Sequence, residues 1–236
     1  MPTAKASRRS KLVVDPDAST KERILSAAEK HFVEHGLQHA SVRAITKIAG
    51  ANSALVVYYF GSKEELFAAV LNRCIEAMVV PRLRALDELE KKSGAAPAPL
   101  RSVLRILAEP FFLNRANGLR PAAVYARFYG RMYAEPNDVH RRVVGKGFAE
   151  LQKRFLTALA RNLPELPLPE LTWRLVMILT ALAYVAAETS NPRATGNPYS
   201  ILRGVPDLTD EQLLEIYVES FRGMLTTQSA LRMTSK

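Results

Sequence analysis

The chain has 236 residues, of which 48% are hydrophobic and 8% aromatic, enough to bury at least one substantial core. A single cysteine, Cys74, excludes an internal disulfide, the N-terminus lacks the apolar segment of a signal peptide, and the longest apolar run, residues 175–187, is too short to span a bilayer. We therefore expect a cytoplasmic protein that does not enter membranes, and its net charge of +10 favours a polyanionic partner.

The basic charge is unevenly distributed. Residues 82–147 hold 13 Lys/Arg against 6 Asp/Glu, whereas residues 1–81 hold 11 against 8 and residues 148–236 hold 9 against 9. The first 18 residues form a basic arm that either reaches into a minor groove or stays solvated, and their composition favours a disordered arm. Its four cations precede the first acid, and they are Lys5, Arg8, Arg9 and Lys11.

Helical periodicity runs through most of the chain, and no segment alternates like a strand. The sequence therefore predicts an all-α protein with a three-helix head over residues 19–66, a helical body over residues 67–228 and a tail over residues 229–236. A capping box at Ser19–Glu22 is expected to open the first helix. The later helices are predicted at residues 62–92 with an interruption at Pro81, then at 100–117, 121–134, 137–162, 169–188 and 210–227.

Residues 41–66, SVRAITKIAGANSALVVYYFGSKEEL, have the pattern of a helix-turn-helix. Ser41 is a good N-cap, Gly50 suits the left-handed backbone that ends a helix, and Asn52 is suited to cap the next one. The second helix carries no acidic residue, which phosphate would repel. The pattern thus predicts DNA binding, with the first helix burying a stripe that consists of Val42, Ile45 and Ile48.

This region resembles the DNA-binding head of the tetracycline-repressor (TetR) family. The resemblance covers residues 20 to about 70 and rests on Ala27-Ala28, Phe32, Gly36, Ser41-Val42, Ile45, Ala49-Gly50, Tyr58-Tyr59-Phe60 and Gly61–Leu66. It implies a dimeric one-component transcriptional regulator, most often a repressor, with an all-helical body that binds a small effector. It further implies that the fourth helix couples body to head and that the last two long helices pair across a two-fold axis.

The resemblance also assigns residues to DNA. It places Arg43 at the start of the supporting helix, Lys63 near phosphate at the start of the fourth helix, and five residues on the recognition helix. Val57 stands where most family members have a tyrosine, so the tyrosine that touches phosphate is left open, as is a role for both in packing the head. The five recognition-helix residues are Asn52, Ser53, Ala54, Tyr58 and Tyr59.

An enzymatic alternative arises from His31-Phe32-Val33-Glu34-His35, which matches the H-x-x-E-H pattern of zinc peptidases. Two histidines four apart share a helix face, but Gly36 ends the helix at once and no third ligand is evident. A solvated or phosphate-facing helix end is the preferred interpretation. We expect no metal, no cofactor and no enzymatic activity.

The predicted effector site centres on residues 121–136. Aromatic and Met side chains lie there beside two arginines four apart, a combination that suits an apolar ligand with an anionic end. These features resemble the subset of the family that answers to fatty acids or their coenzyme A thioesters, although ordinary core packing explains each residue taken singly. The predicted effector residues are Tyr125, Arg127, Phe128, Tyr129, Arg131, Met132, Trp173 and Met177.

The predicted dimer interface lies on the helices at residues 169–188 and 210–227. The first is apolar almost all round, and such a helix needs cover on more than one side. The alternative to a ligand-responsive homodimer on palindromic operator DNA is an effector-independent helical or architectural DNA-binding protein. The predicted interface residues are Leu175, Leu179, Leu182, Leu214, Tyr217 and Phe221.

Overall fold

The computed structural model describes residues 16–112, 138–189 and 208–231, and only the backbone of residues 16–19 and 185–189. Within these ranges the chain forms α-helices and one 3₁₀ turn without any strand, so the predicted all-α class is confirmed. None of the described helices is long and apolar enough to cross a membrane. The elements are α1 Pro16–His39, α2 Val42–Ala49, α3 Ala54–Phe60, α4 Lys63–Ser93, α5 Leu100–Ala108, the 3₁₀ turn Glu109–Phe111, α6 Asp138–Asn162, α7 Leu168–Thr189 and α8 Asp210–Thr226.

The chain divides into two units, the head at residues 1–67 and the body at residues 68–236, with the boundary inside α4. In the head, α1 buries an apolar face that includes Ile24, Ala28 and Phe32. The Phe32 ring meets Phe67 edge to face, with 5.0 Å between the ring centroids. Ile45 of α2 is also fully buried. Burial of these apolar side chains is the main force that holds the short helices together.

The ends of α1 differ in part from the prediction. The helix is already formed at Pro16, so the capping box at residues 19–22 does not mark its start. Proline is well suited to a first turn because its missing N–H would find no partner there. At the other end the regular helix is interrupted at Gly36, whose φ of 71° favours glycine, as the sequence predicts.

The long helix α4 runs through Pro81 to Ser93, and the predicted interruption is therefore wrong. A proline removes one backbone hydrogen bond, which a helix survives when packing on both sides holds it. Met78 and Leu86 supply that packing because both are buried. Cys74, on the same helix, has a buried side chain.

The body helices are joined by apolar packing and by ion pairs. Arg154 of α6 donates to Asp87 and Glu90 of α4 at 2.6 and 2.8 Å. Arg105 of α5 likewise donates to Glu211 of α8 at 2.7 Å. The helix predicted at residues 100–117 ends at Ala108, because Pro110 cannot donate to continue it and the chain turns into a 3₁₀ segment.

Two glycines of α6 lie in different surroundings and provide a stability test. A Cβ on Gly147 would lie 2.7 Å from Cγ2 of Ile75, whereas a Cβ on Gly145 would meet nothing within 4 Å. We expect Gly147→Ala to destabilise the body by about 1–3 kcal/mol through overpacking. Gly145→Ala should stabilise it by about 0.5–1 kcal/mol through helix propensity. Urea unfolding of both variants checks this, and shifts of the same sign would contradict the close approach of α6 to α4.

Candidate nucleic-acid interface and ligand cavity

The helix α2 has the ends that the sequence predicts. The Ser41 hydroxyl accepts the Ala44 N–H at 3.4 Å, and Gly50 ends the helix with a φ of 61°. Its buried face consists of Ile45, Thr46 and Ala49. Thr46 is compatible with burial because its hydroxyl donates to the Val42 carbonyl at 3.0 Å. The predicted burial of Ile48 is wrong, since its side chain is 59% exposed.

Side chains of α1 hold both ends of α2. The Arg23 Nε donates to the Ala49 carbonyl at 3.0 Å, at the last residue of α2. At the other end, the backbone N–H of Ser41, the residue before α2, donates to Nε2 of His31 at 3.3 Å. These two contacts set α2 against α1, and the sequence pattern contains no signal for either.

The structure corrects the interpretation of the H-x-x-E-H segment. His31 is buried rather than solvated, and its ring lies 4.2 Å from that of His35, centroid to centroid. Among the described residues no group of three or more His, Cys, Asp or Glu side chains is placed to hold a metal ion. The role of His31 here is to accept the N–H of Ser41.

Acid is expected to weaken the head through His31. Burial and the neighbouring His35 lower the pKa of His31 below its ordinary 6.5, against an opposing effect of Glu34. The unfolded chain therefore takes up a proton first, so the contribution is fully present above about pH 6.5 and is lost as the pH falls below it. His31→Gln, which keeps an acceptor near Nε2, should reduce the loss of unfolding free energy between about pH 7.5 and 5.5.

The comparison of His31→Gln with the parent isolates this contribution. His140 of the body is also buried, which lowers its pKa to about 4, and it adds an acid dependence of the same sign to both proteins. Chemical unfolding at several pH values gives the difference between the two. If the unfolding free energies of parent and variant depend on pH in the same way, His31 does not titrate in this range.

The helix α3 is partly exposed, with three of its seven side chains open to solvent. Ser53 holds the N-cap position of α3, and Asn52, predicted to cap the helix, lies one residue earlier, where its Oδ1 accepts the Ala54 N–H at 2.9 Å. Within α3 only Val56 is buried, and Ser53 and Ala54 are exposed with Asn52. The turn after α3 is made by Gly61, with a φ of 85°. This short helix therefore presents small and hydrogen-bonding groups to solvent.

The two tyrosines of α3 differ in accessibility. Tyr58 is 79% exposed, whereas Tyr59 is half-buried. Their rings meet edge to face with centroids 4.9 Å apart, and Tyr59 also meets Phe60 at 6.4 Å. Tyr58 is thus the ring that an approaching molecule reaches, while Tyr59 contributes to packing within the head.

Both charged side chains of α2 are positive and exposed. Arg43 and Lys47 are both exposed on α2 and lie one turn apart, and residues 41–63 contain no acid. Lys47 was missed by the sequence reasoning, although its spacing of four from Arg43 signals a shared face. Lys63 donates to the Ala40 carbonyl at 3.3 Å, which leaves two of its three N–H donors.

The body contains a largely apolar cavity of about 90 Å³. Its wall comes from α4, α5 with the following turn, α6 and α7, and it includes Arg82 and Gln152 as polar members. A space of this size holds several water molecules, since one needs about 10–15 Å³. The apolar lining consists of Leu107, Phe111, Val144, Phe148, Leu151, Phe155, Leu175, Leu179 and Ala183.

Four residues of α7 lie in surroundings that differ from those predicted for them. Trp173 and Met177, predicted to bind effector, are 69% and 50% exposed and do not line this cavity, whereas Leu175 and Leu179, predicted for a dimer interface, do. Residues two apart point to nearly opposite sides of a helix that advances 100° per residue. The remaining predicted effector residues lie outside the described residues, and they are Tyr125, Arg127, Phe128, Tyr129, Arg131 and Met132.

Most of the other predicted interface residues also lie inside the protomer. Leu182, Leu214 and Phe221 are buried, and Tyr217 is half-buried against Phe112 with 5.1 Å between ring centroids. An apolar pattern indicates that a helix is covered but not which neighbour covers each side. These side chains are therefore reassigned to the core of the body.

A capped helix-turn-helix with a basic, acid-free surface, followed along the chain by a larger helical unit, defines a transcriptional regulator. Residues 24–70 match the model of the bacterial regulatory proteins of the tetR family. Residues 105–202 match the tetracyclin repressor-like C-terminal domain. The two matches agree on one family, and the chain belongs to the TetR family of helix-turn-helix transcriptional regulators.

Characterised relatives match a segment of the chain. The transcriptional repressor SCO4008 of Streptomyces coelicolor is 46% identical over 59 residues, which are 25% of this chain and 30% of that protein. The dual regulator CecR of Shigella flexneri is 36% identical over 87 residues, 37% of this chain and 38% of CecR. The chain thus matches well under half the length of these relatives.

Solved structures share the fold over nearly the whole chain. A transcriptional regulator from Pseudomonas aeruginosa PAO1 has a TM-score of 0.63 at 18% identity, and the match covers 91% of this chain and 94% of the regulator's chain. The fatty acid degradation regulator FadR from Bacillus halodurans has a TM-score of 0.55 at 20% identity, covering 89% and 99%. At such identities the likeness concerns the fold alone.

Proposed function

We propose that the protein is a homodimeric repressor that acts in the cytoplasm, binds a palindromic operator through its heads and releases it when a small effector enters the body. The observation that carries the DNA-binding part is the exposed, acid-free surface of α2 and α3. Arg43 and Lys47 lie on α2, Tyr58 lies on α3 and Asn52 lies just before α3. Cations hold phosphate, and short amides and hydroxyls read base edges.

The proposal divides labour between these side chains. Arg43, Lys47 and Lys63 neutralise phosphates, and Tyr58, the exposed ring of the pair, adds a phosphate contact at the end of α3. Asn52 and Ser53 read bases, with Ala54 offering an apolar contact beside them. Asn52 retains its amide NH₂ for this purpose because only its oxygen is engaged by the Ala54 N–H.

Substitutions in the head test this division. Arg43→Ala and Lys47→Ala should each weaken binding to all duplexes and reduce the salt slope by about one. Asn52→Asp keeps an oxygen for the Ala54 N–H but adds a charge that phosphate repels, so it should lower affinity more than Asn52→Ala does. Fluorescence anisotropy with operator and scrambled duplexes at several salt concentrations measures both effects.

Lys91→Ala is the matched control, since Lys91 is an exposed cation of the body. It should leave affinity and salt slope unchanged. Equal losses from Lys91→Ala and Lys47→Ala would argue against the head as the binding surface. Uniform coating of any duplex, with no preference for a palindrome, would favour the effector-independent architectural protein instead.

The effector part of the proposal rests on the body cavity. Apolar walls with few polar groups are typical of small-molecule sites. The cavity lining includes Arg82 of α4, the helix that begins in the head at Lys63. The name of the FadR neighbour refers to fatty acid degradation, which agrees with an apolar effector of the fatty acid or acyl-coenzyme A type. Release of operator on addition of such compounds, followed by anisotropy, tests this part.

A further inference from the structure

A buried arginine lines the cavity of the body. Arg82, on α4, is only 2% exposed and is one of the residues that form the cavity wall. Its guanidinium lies 4.8 Å from the centroid of the Phe111 ring, another lining residue. Among the described residues of the wall, Arg82 carries the one full charge, and that charge is positive.

A cation in such a place is unusual on physical grounds. Arginine is rarely fully buried, because removing its charge from water is costly. The aromatic face of Phe111 offsets part of that cost through a cation–π interaction.

The surroundings of Arg82 favour an anion in the cavity. Attraction between opposite charges is far stronger in a site that excludes water than at the surface. The planar guanidinium matches a carboxylate with two parallel hydrogen bonds, which an ammonium cannot do. The other lining residues, apart from Gln152, provide only apolar contacts.

We propose that Arg82 selects the effector: the cavity takes an apolar carboxylate whose charged end pairs with the guanidinium and whose hydrocarbon lies against the phenylalanine and leucine side chains. This inference rests on the proposed ligand-binding role of the body and names the chemical class of the ligand. It also transfers the anion-binding role from Arg127 and Arg131, the sequence-based choice, to a residue of α4.

The test compares three probes that differ only in the end group, namely hexanoate, hexanol and hexylamine, by calorimetry on the full chain without DNA. Hexanoate should bind at least about tenfold more tightly than hexanol, and hexylamine least tightly, as expected for a charge-assisted contact. A preference for hexanol or hexylamine would overturn the proposal. Since this comparison needs only the parent protein, it holds even if an Arg82 variant fails to fold.

Two variants then locate the contact. Arg82→Met should abolish the preference for hexanoate over hexanol, while Arg84→Met, an exposed arginine of the same helix, should keep it. If Arg82→Met alters thermal stability but keeps the preference, Arg82 is a packing residue and the assignment is wrong. Operator binding without any probe is measured separately, so a failure of the DNA-binding proposal is distinguishable from a failure of this one.

Discussion

Arg174→Met is expected to lower the free energy of unfolding of the body by about 3–5 kcal/mol, the usual cost of breaking a buried ion pair. Arg174 and Glu170, one turn apart on α7, are both buried. The guanidinium also donates to the carbonyls of Thr227 and Gln228 at 2.9 and 3.1 Å, beyond the last turn of α8. Its loss leaves these acceptors and the Glu170 carboxylate without their charged donor.

Glu170 forms further hydrogen bonds between α7 and the residues that follow α8. Its carboxylate accepts the Ser229 hydroxyl at 2.6 Å and the backbone N–H groups of Ala230 and Leu231 at 3.0 and 3.1 Å. The Ser229 and Ala230 hydrogen bonds, with smaller help from Leu231 and Arg174, lower the pKa of Glu170 to about 2. Its contribution is therefore fully present above pH 4.5, the ordinary value, and declines as the pH falls towards 2.

Arg222→Met is the matched control for Arg174→Met. Arg222 forms an exposed ion pair with Glu219 on α8 at 2.8 Å, and such pairs contribute at most about 1 kcal/mol. Guanidinium chloride would screen both pairs, so urea unfolding at constant salt is the appropriate measurement. Similar losses in the two variants would mean that Arg174 does not act as a buried anchor.

Met177→Glu is expected to separate the proposed dimer without unfolding the protomer. An exposed apolar stripe runs along α7, where the Trp173 side chain is 69% exposed and the Met177 side chain is 50% exposed. A carboxylate buried in a dimer interface without a partner costs several kcal/mol, so we expect the dimer affinity to fall by at least about 30-fold. Three further apolar side chains of these helices are exposed, Val176 and Tyr184 of α7 and Ile216 of α8.

Sedimentation velocity at several protein concentrations measures the dimer affinity. Fluorescence anisotropy with whole and half palindromes measures how loss of the dimer changes DNA binding. Thr157→Glu, at an exposed position of α6, is the control and should leave a dimer. Leu182→Glu should behave differently from both, because Leu182 is fully buried within the protomer and its replacement should unfold the body. A dimer that survives Met177→Glu and Trp173→Glu would place the interface elsewhere.

The head was largely predictable from sequence because its signals are local. Ser41 and Gly50 end α2 through their own side-chain and backbone preferences, and the Asn52 side chain accepts the N–H of Ala54 at the start of α3. The exposed Ile48 was not predictable by this route. In a helix of eight residues, Ile45 and Ile48 fit one stripe as well as Ile45 and Ala49 do, and only the position of α1 selects the second.

The body was less predictable from sequence than the head. Periodicity identifies α7 as apolar on several sides, but Trp173 and Leu175 are equally apolar in sequence. In the structure Trp173 lies on the open surface and Leu175 lines the cavity. This difference depends on which helices pack against each side of α7. Arg82 carries no signal either, since arginines of a long helix are usually exposed.

The sequence by itself determined the all-α class, the helix-turn-helix and the absence of acid between Ser41 and Lys63, because capping, periodicity and charge are properties of neighbouring residues. The family was indicated separately, by the resemblance of residues 20–70 to known regulators. Only the tertiary structure decided that His31 holds Ser41, that Arg174 anchors the end of α8 and that Arg82 lines a cavity. Each of these contacts joins helices that are separate along the chain. Their geometry depends on the packing of whole helices, which no local pattern encodes.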